Sequence, residues 1–253
     1  MQRYFLEVMY NGTVFHGSQL QGDLPTVQKA VNDALSTLFR EDIVSFGASR
    51  TDEGVHASAN YYHFDTEKEP HAQLHYKLNA LLPHAISVKR IFRCTDPPIN
   101  ARFDAVSRSY RYRIYHRKHP FYFQRALYYP YKIDPELLKE TAAMLLDYED
   151  FETFSKRNTQ THTFRCKIFE SRWEQAEDQL HYFVRANRFL RGMVRGLVGT
   201  QLQVARGKMS LDDFRSVIES RDCRRADFSV TGHGLYLEHI EYPKDKLIEL
   251  KLY

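Results

Sequence analysis

Ser109-Tyr110-Arg111-Tyr112-Arg113-Ile114 is the stretch on which the reading of the fold turns. Arginines alternate with aromatic and apolar residues, so Tyr110, Tyr112 and Ile114 share one face of a strand. The same alternation opens the chain, where Tyr4, Leu6, Val8 and Tyr10 are spaced by mostly polar neighbours. After that first strand, Thr26 is placed to cap a helix whose Val27, Val31, Ala34, Leu35 and Leu38 form a stripe. Strands are predicted over 42–48 and 57–64, a helix over 71–81 stopped by Pro83, and a strand over 86–92. After Ile114 the plan begins again. Asp134 caps a helix with Pro135 at its first position and Leu138, Ala142 and Leu145 on its buried side. Strands over 163–173 and 179–187 follow, then a helix from Arg188, a shorter one over 212–220 and a strand from Leu235. Both runs spell βαββαβ. The fold class is therefore α+β, two ferredoxin-like halves with a continuous mixed/antiparallel sheet flanked by helices. The seam is placed in the Pro97-Pro98 to Asp104 stretch, giving halves 1–104 and 105–253.

The chain has 253 residues, 43% of them hydrophobic, enough to supply a core for one large domain or two modest ones. No uninterrupted apolar run approaches the roughly 20 residues of a membrane-spanning helix. The first residues enter a strand pattern directly, without a basic leader and cleavage site, so a cytoplasmic location is expected. Cys94, Cys166 and Cys223 lie far apart, which argues against a zinc ligand set or a disulfide framework. His71 and His75 have the spacing of a metal pair on a helix but no third ligand nearby in sequence, so no metal is expected.

Net charge is +4, too mild to identify a partner by itself. Its distribution says more. Arg108, Arg111, Arg113, Arg117 and Lys118 cluster, as do Arg185, Arg188, Arg191 and Arg195, and again Arg221, Arg224 and Arg225. These are candidate phosphate contacts. On a helix from residue 188, Arg188, Arg191 and Arg195 share one face with Gly192, Gly196 and Gly199. Three glycines cost a helix roughly 1 kcal/mol each, so they serve close approach, either of an anionic ligand or a carboxylate to that face or, with the arginines solvated, of a neighbouring helix or strand.

Arg50-Thr51-Asp52-Glu53-Gly54-Val55-His56-Ala57 crowds a cation and two carboxylates onto the end of a strand. Such a position holds a side chain on rigid scaffold and leaves it accessible. Taken alone, Asp followed by Gly is also ordinary turn chemistry. The longer string resembles the signature of the TruA family of tRNA pseudouridine synthases. The resemblance recurs in order along nearly the full chain. It runs through Thr26-Val27-Gln28, Asn79-Ala80-Leu81-Leu82-Pro83, Ala101-Arg102-Phe103, Tyr110-Arg111-Tyr112 and Asp150-Phe151 to Phe189-Leu190-Arg191-Gly192-Met193-Val194-Arg195 and Gly234-Leu235-Tyr236-Leu237.

The resemblance implies an isomerase that detaches uracil from ribose, rotates it and rejoins it through carbon, acting on uridines in the anticodon stem-loop of tRNA. It implies no cofactor, since no electrons change hands, and a homodimer. Asp52 matches the catalytic carboxylate and nucleophile, Arg195 its basic partner, and Tyr110 the tyrosine that packs on the target base. Arg50 matches an arginine near the flipped base, where occupying the vacated stack offsets part of an unstacking cost of a few kcal/mol. Arg188, Arg191 and Leu235 complete the implied substrate-binding set. The chain departs from the family pattern at Ser49, where Gly is usual, at Glu53, where Ala is usual, and at Gly17-Ser18-Gln19, where Gly-Trp-Gln is usual. Gly192 and Gly196 replace bulkier polar residues. Glu53 is expected to point away from Asp52, because successive strand side chains alternate. Two other classes stay open on the residues alone: a paralogue that binds or folds tRNA without catalysis, and a hydrolase using Asp52 and Glu53 as a carboxylate pair.

Overall fold

In the computed structural model, which describes residues 1–156 and 163–251, the chain forms two units, Met1–Val106 with Leu237–Tyr253, and Ser107–Tyr236. The first is built around strand β1 (Gln2–Tyr10), flanked on both sides by antiparallel partners, β3 (His56–Thr66) and β4 (Ile86–Cys94). Being central, β1 is buried well beyond its apolar face. Even Glu7 is 1% exposed, its carboxylate bonded by Arg90 Nε at 2.5 Å and paired with Lys89 at 3.3 Å. Helix α1 (Val27–Phe39) starts where Thr26 accepts the Lys29 N–H, and it buries Val27, Val31, Ala34, Leu35 and Phe39. Helix α2 (Leu74–Leu81) docks beside β4, with Asn79 bonding both the N–H and the carbonyl of Val88. Its start is later than residue 71, because the Gln73 N–H turns back to His71 Nδ1 at 2.9 Å.

The strand predicted over 42–48 shrinks to β2 (Phe46–Gly47), paired with β3. The reason is local: the amides of Ile43 and Ser45 are taken by the α1 side chains Ser36 and Asn32 rather than by a neighbouring strand.

The second unit repeats the plan. Strand β5 (Ser107–Tyr115) runs antiparallel to β8 (Gln179–Ala186), which runs antiparallel to β7 (Ile168–Ala176); a two-residue strand β6 (Leu127–Tyr128) joins β5 in parallel. Tyr110 faces Val184, Tyr112 faces Tyr182 and Ile114 faces Leu180. Helix α3 (Pro135–Met144) is capped by Asp134, which accepts the Glu136 N–H. It packs against α4 (Met193–Ala205), whose buried Gln201 accepts the indole N–H of Trp173 at 2.9 Å. Helix α5 (Leu211–Glu219) opens on a reciprocal cap between Ser210 and Asp213. Strand β9 (Leu235–Glu241) then carries the chain back to the first unit, where it lies beside β3, and β10 (Leu247–Glu249) pairs with β4.

The first run thus follows βαββαβ and the second the same order with β6 and α5 inserted, a mostly antiparallel α+β fold with flanking helices. A further prediction is corrected. Helix α4 starts at Met193, not at Arg188, because Gly192 adopts φ +76 and residues 190–193 form a turn closed by the Met193 N–H on Leu190 O. Among the described residues, no helix is long and apolar enough to cross a membrane, and no group of three His, Cys, Asp or Glu side chains is placed to hold a metal.

Candidate active site

In the first unit, Asp52 stands half-buried on the turn between β2 and β3, with exposed Arg50 before it and buried Thr51 between them. The turn closes when the Val55 N–H bonds Asp52 O at 3.2 Å and Gly54 takes φ +75, a conformation that suits glycine. Three side chains distant in sequence hold its rising limb. Ser18 Oγ accepts the Thr51 N–H at 2.8 Å and donates to Ser49 O at 3.2 Å, while the Ser18 N–H bonds Thr51 O at 3.0 Å. Asn60 Oδ1 accepts the Ser49 N–H, and its amide donates to Ser49 O at 3.1 Å and to Tyr10 Oη at 3.2 Å. The Tyr10 hydroxyl in turn meets Thr51 Oγ1 at 2.8 Å. Every one of these groups is buried, where an unmade bond costs more than a made one contributes.

The falling limb is held by shape. A Cβ on Gly12 would lie 2.0 Å from Val55 O, so only glycine lets the first loop pass. The Gly12 N–H also bonds Nδ1 of buried His56 at 3.2 Å. Glu53 is exposed, its carboxylate 3.8 Å from His16 Nδ1; it and Asp52 stand on a turn and not in a strand, so the alternation from which Glu53 was expected to face away does not apply here. Sequence reading singled out Asp52 but not the clamp. Ser18 and Asn60 bear on the turn across 33 and 11 residues of chain, and no local pattern marks such contacts.

The remaining predicted residues lie in the second unit. Tyr110, on β5, is buried with Phe189 edge-on to its ring at a centroid distance of 5.0 Å. Two residues along, the Tyr112 hydroxyl donates to Thr231 O at 2.7 Å, and its ring occupies the space a Cβ on Gly234 would need. Burial raises the Tyr112 phenol far above the ordinary range, so this second tyrosine is a structural phenol held neutral.

Arg195, on the first turns of α4, donates from Nε to Val230 O at 2.7 Å and from Nη2 to Phe228 O at 3.3 Å. The chain at 227–230 passes so close to α4 that a Cβ on Gly199 would lie 2.2 Å from Asp227 O, and one on Gly196 would lie 2.8 Å from the Phe228 ring. The expected arginine face is therefore redrawn. Gly199 admits the protein's own backbone and Gly196 the rings of Phe228 and Phe154, Gly192 is a capping turn, and only Arg195 of the three arginines is helical. Arg188 is partly exposed and Arg191 exposed on the turn before α4, where the Arg191 carbonyl accepts the Lys156 N–H. Leu235, at the start of β9, is buried.

Comparison with known proteins agrees with these motifs. The model of a family described as tRNA pseudouridine synthase matches residues 142–243. The tRNA pseudouridine synthase A of Parabacteroides distasonis is 43% identical over 248 residues, covering 97% of this chain and 98% of its own length. That of Bacteroides thetaiotaomicron is 44% identical over 97% of this chain and 92% of its own. The Bacillus subtilis protein of the same name is 36% identical, with 93% and 97% covered. Identity at this level over nearly the whole of both chains shows common descent, and the chain accordingly belongs to the tRNA pseudouridine synthase A family, a family of isomerases.

Proposed function

We propose that this protein converts uridine to pseudouridine in the anticodon stem-loop of tRNA as a homodimer, with Asp52 as the catalytic carboxylate and no cofactor. The reaction is an isomerisation. The bond between N1 and the ribose C1′ breaks, a bond between C5 and C1′ forms, C5 gives up a proton and N1 gains one. Atoms and electrons balance without an oxidant or a metal-bound group, so acid, base and nucleophile chemistry by side chains is sufficient.

The observation that carries the proposal is the clamp. Six buried hydrogen bonds converge on the residues just before Asp52, and together with the Gly54 turn they hold the backbone from which its half-buried side chain projects. Catalysis by a positioned group needs this more than it needs reach. Arg50, exposed beside it, is available to a phosphate or to the stack that an extruded base leaves. Tyr110 serves the same reaction as the aromatic partner of the base and the candidate for taking the C5 proton, and Arg195 as the basic partner of the carboxylate. Arg188, Arg191 and Leu235 contribute to substrate binding.

The test is direct. Purified protein is incubated with unmodified tRNA and pseudouridine is mapped by position. Asp52→Ala is expected to lose at least roughly 1,000-fold in kcat, about 4 kcal/mol of barrier, with tRNA affinity kept. Folded wild-type protein that makes no product on a full tRNA pool would remove the proposal, as would an Asp52→Ala variant that retains activity.

A further inference from the structure

Residues 116–133 combine two features that the chemistry at Asp52 does not use. Arg117, Lys118, Arg125 and Lys132 lie among six aromatic residues, and no Asp or Glu occurs anywhere in the segment. The aromatics divide by role. Tyr122 sits edge-on to Tyr115, stacks on His119 and donates its hydroxyl to Asp178, while Tyr128 packs on Tyr115. These fasten the segment to the sheet. Phe121 and Phe123 do the opposite, at 81% and 69% exposed.

Exposure of two phenylalanines on a fastened loop is costly unless something covers them. The loop is held by backbone bonds from Tyr122 N to His119 O, Arg125 N to Tyr122 O and Tyr129 N to Tyr115 O, and β6 pairs with β5. The two rings are therefore presented on an ordered platform rather than on a loose tail.

Beside this platform the second unit has a cavity of about 750 Å³. Its walls include Arg117, Tyr131, Lys132, Lys139 and Trp173. Its volume is in the range of small-molecule and nucleotide sites. Glu174 also lines it, but that carboxylate is bonded by Arg172. Tyr131 is half exposed with the Arg206 guanidinium 3.6 Å from its ring centroid, an arginine and aromatic pair of the kind that stacks bases. Tyr110 and His116 are six residues apart along β5 and just past its end, which at about 3.3 Å per residue sets the cavity roughly 20 Å from Tyr110.

We propose that this platform and cavity form a second RNA contact, where bases of the tRNA substrate stack on Phe121 and Phe123 while Arg117 and Lys132 hold the adjoining phosphates. Aromatic faces interleaved with cations are the means by which proteins hold unpaired nucleotides with little sequence preference. Charge decides against the other occupant, a second copy of this chain. A two-fold interface places a patch upon itself, and here that would set the segment's four cations against the same four, while the acids beside them, Asp178 and Glu174, are already bonded by Tyr122 and Arg172. A polyanion meets no such repulsion. The inference rests on the tRNA reading above and adds to it a site that affects affinity and not the chemical step.

The experiment uses the full-length protein and full-length unmodified tRNA. Phe121→Ala/Phe123→Ala is expected to raise KM about tenfold with kcat kept within twofold. Arg117→Gln/Lys132→Gln is expected to lower the slope of log affinity against log salt by about 1.5, from roughly 0.7 to 0.9 per phosphate contact. Both pairs are on exposed positions, so folding is checked by an unchanged melting temperature. Sedimentation of the variants should match wild type. An unchanged KM and salt slope would overturn the proposal, and so would a change of oligomeric mass, which would assign the patch to a subunit interface. If wild-type protein makes no pseudouridine, the catalytic reading fails, and the platform is then judged by tRNA affinity alone, against the same tenfold and the same slope.

Discussion

The turn that carries Asp52 and the helix that carries Arg195 are held by opposite means. Around Asp52 the fit is polar: Ser18 and Asn60 reach in from elsewhere in the chain and bond the backbone of Ser49 and Thr51, and Tyr10 meets the Thr51 hydroxyl. Around Arg195 the fit is made by what is missing, since Gly196 and Gly199 leave room for the 227–230 segment, whose carbonyls then take the guanidinium. Hydrogen bonds can be lost one at a time, each worth about 1 kcal/mol net. A steric fit against backbone has no such gradation.

The sharpest way to break this comparison is to add one methyl group. Gly199→Ala puts a Cβ 2.2 Å from a backbone carbonyl, which cannot swing aside, and is expected to lower unfolding free energy by about 3 kcal/mol. Gly196→Ala meets a ring edge at 2.8 Å, which can tilt, and about 1 kcal/mol is expected. Denaturant midpoints at constant m-value give both numbers. Equal losses would show that α4 and the 227–230 segment adjust together and that the fit is not steric.

The polar side of the comparison is tested by Ser18→Ala. The substitution keeps the backbone bond to Thr51 O but leaves the buried Thr51 N–H without its acceptor. We expect kcat to fall about tenfold, about 1.4 kcal/mol, with KM within twofold and unfolding free energy lower by about 1 kcal/mol. A positioning role requires that split. A drop in stability with kcat untouched would reduce Ser18 to an ordinary core hydrogen bond.

These two regions also show what was legible in the residues. Strand alternation at 4–10 and 109–114 and the caps at Thr26 and Asp134 read correctly, because each depends on neighbours within a few positions. The start of α4 did not. Arg188, Arg191 and Arg195 at helical spacing look like a face, and only the positive φ of Gly192 shows that the first two lie before the helix. The strand over 42–48 failed for a related reason, since its amides are claimed by Ser36 and Asn32 on α1. Asp52 was visible as a carboxylate at a strand end, whereas the clamp that holds it is a long-range product of the fold.

A last and smaller effect compares the two units under acid. His63 in the first unit is buried, accepts the Ala101 N–H on Nδ1 at 3.2 Å and stacks on Phe46. Burial, with the Arg3 charge adding to it, lowers its pKa to about 4. His181 in the second unit is also lowered to about 4, by burial and then by Arg111 and Arg113, but it is more open to water. The sign follows from the direction. Both must be neutral in the folded chain, while an unfolded histidine titrates near 6.5. Their contribution is complete above pH 6.5, declines as pH falls toward 4 and levels off below it. For His63 the loss between pH 7 and pH 5.5 is about 1 kcal/mol, and for His181 it is smaller because solvent screens it. Urea midpoints measured across that window should therefore lose more of their pH slope in His63→Gln than in His181→Gln. The reverse order would mean that acid sensitivity resides in the second unit, and that the core beneath β1 and β3 is more hydrated than its burial implies.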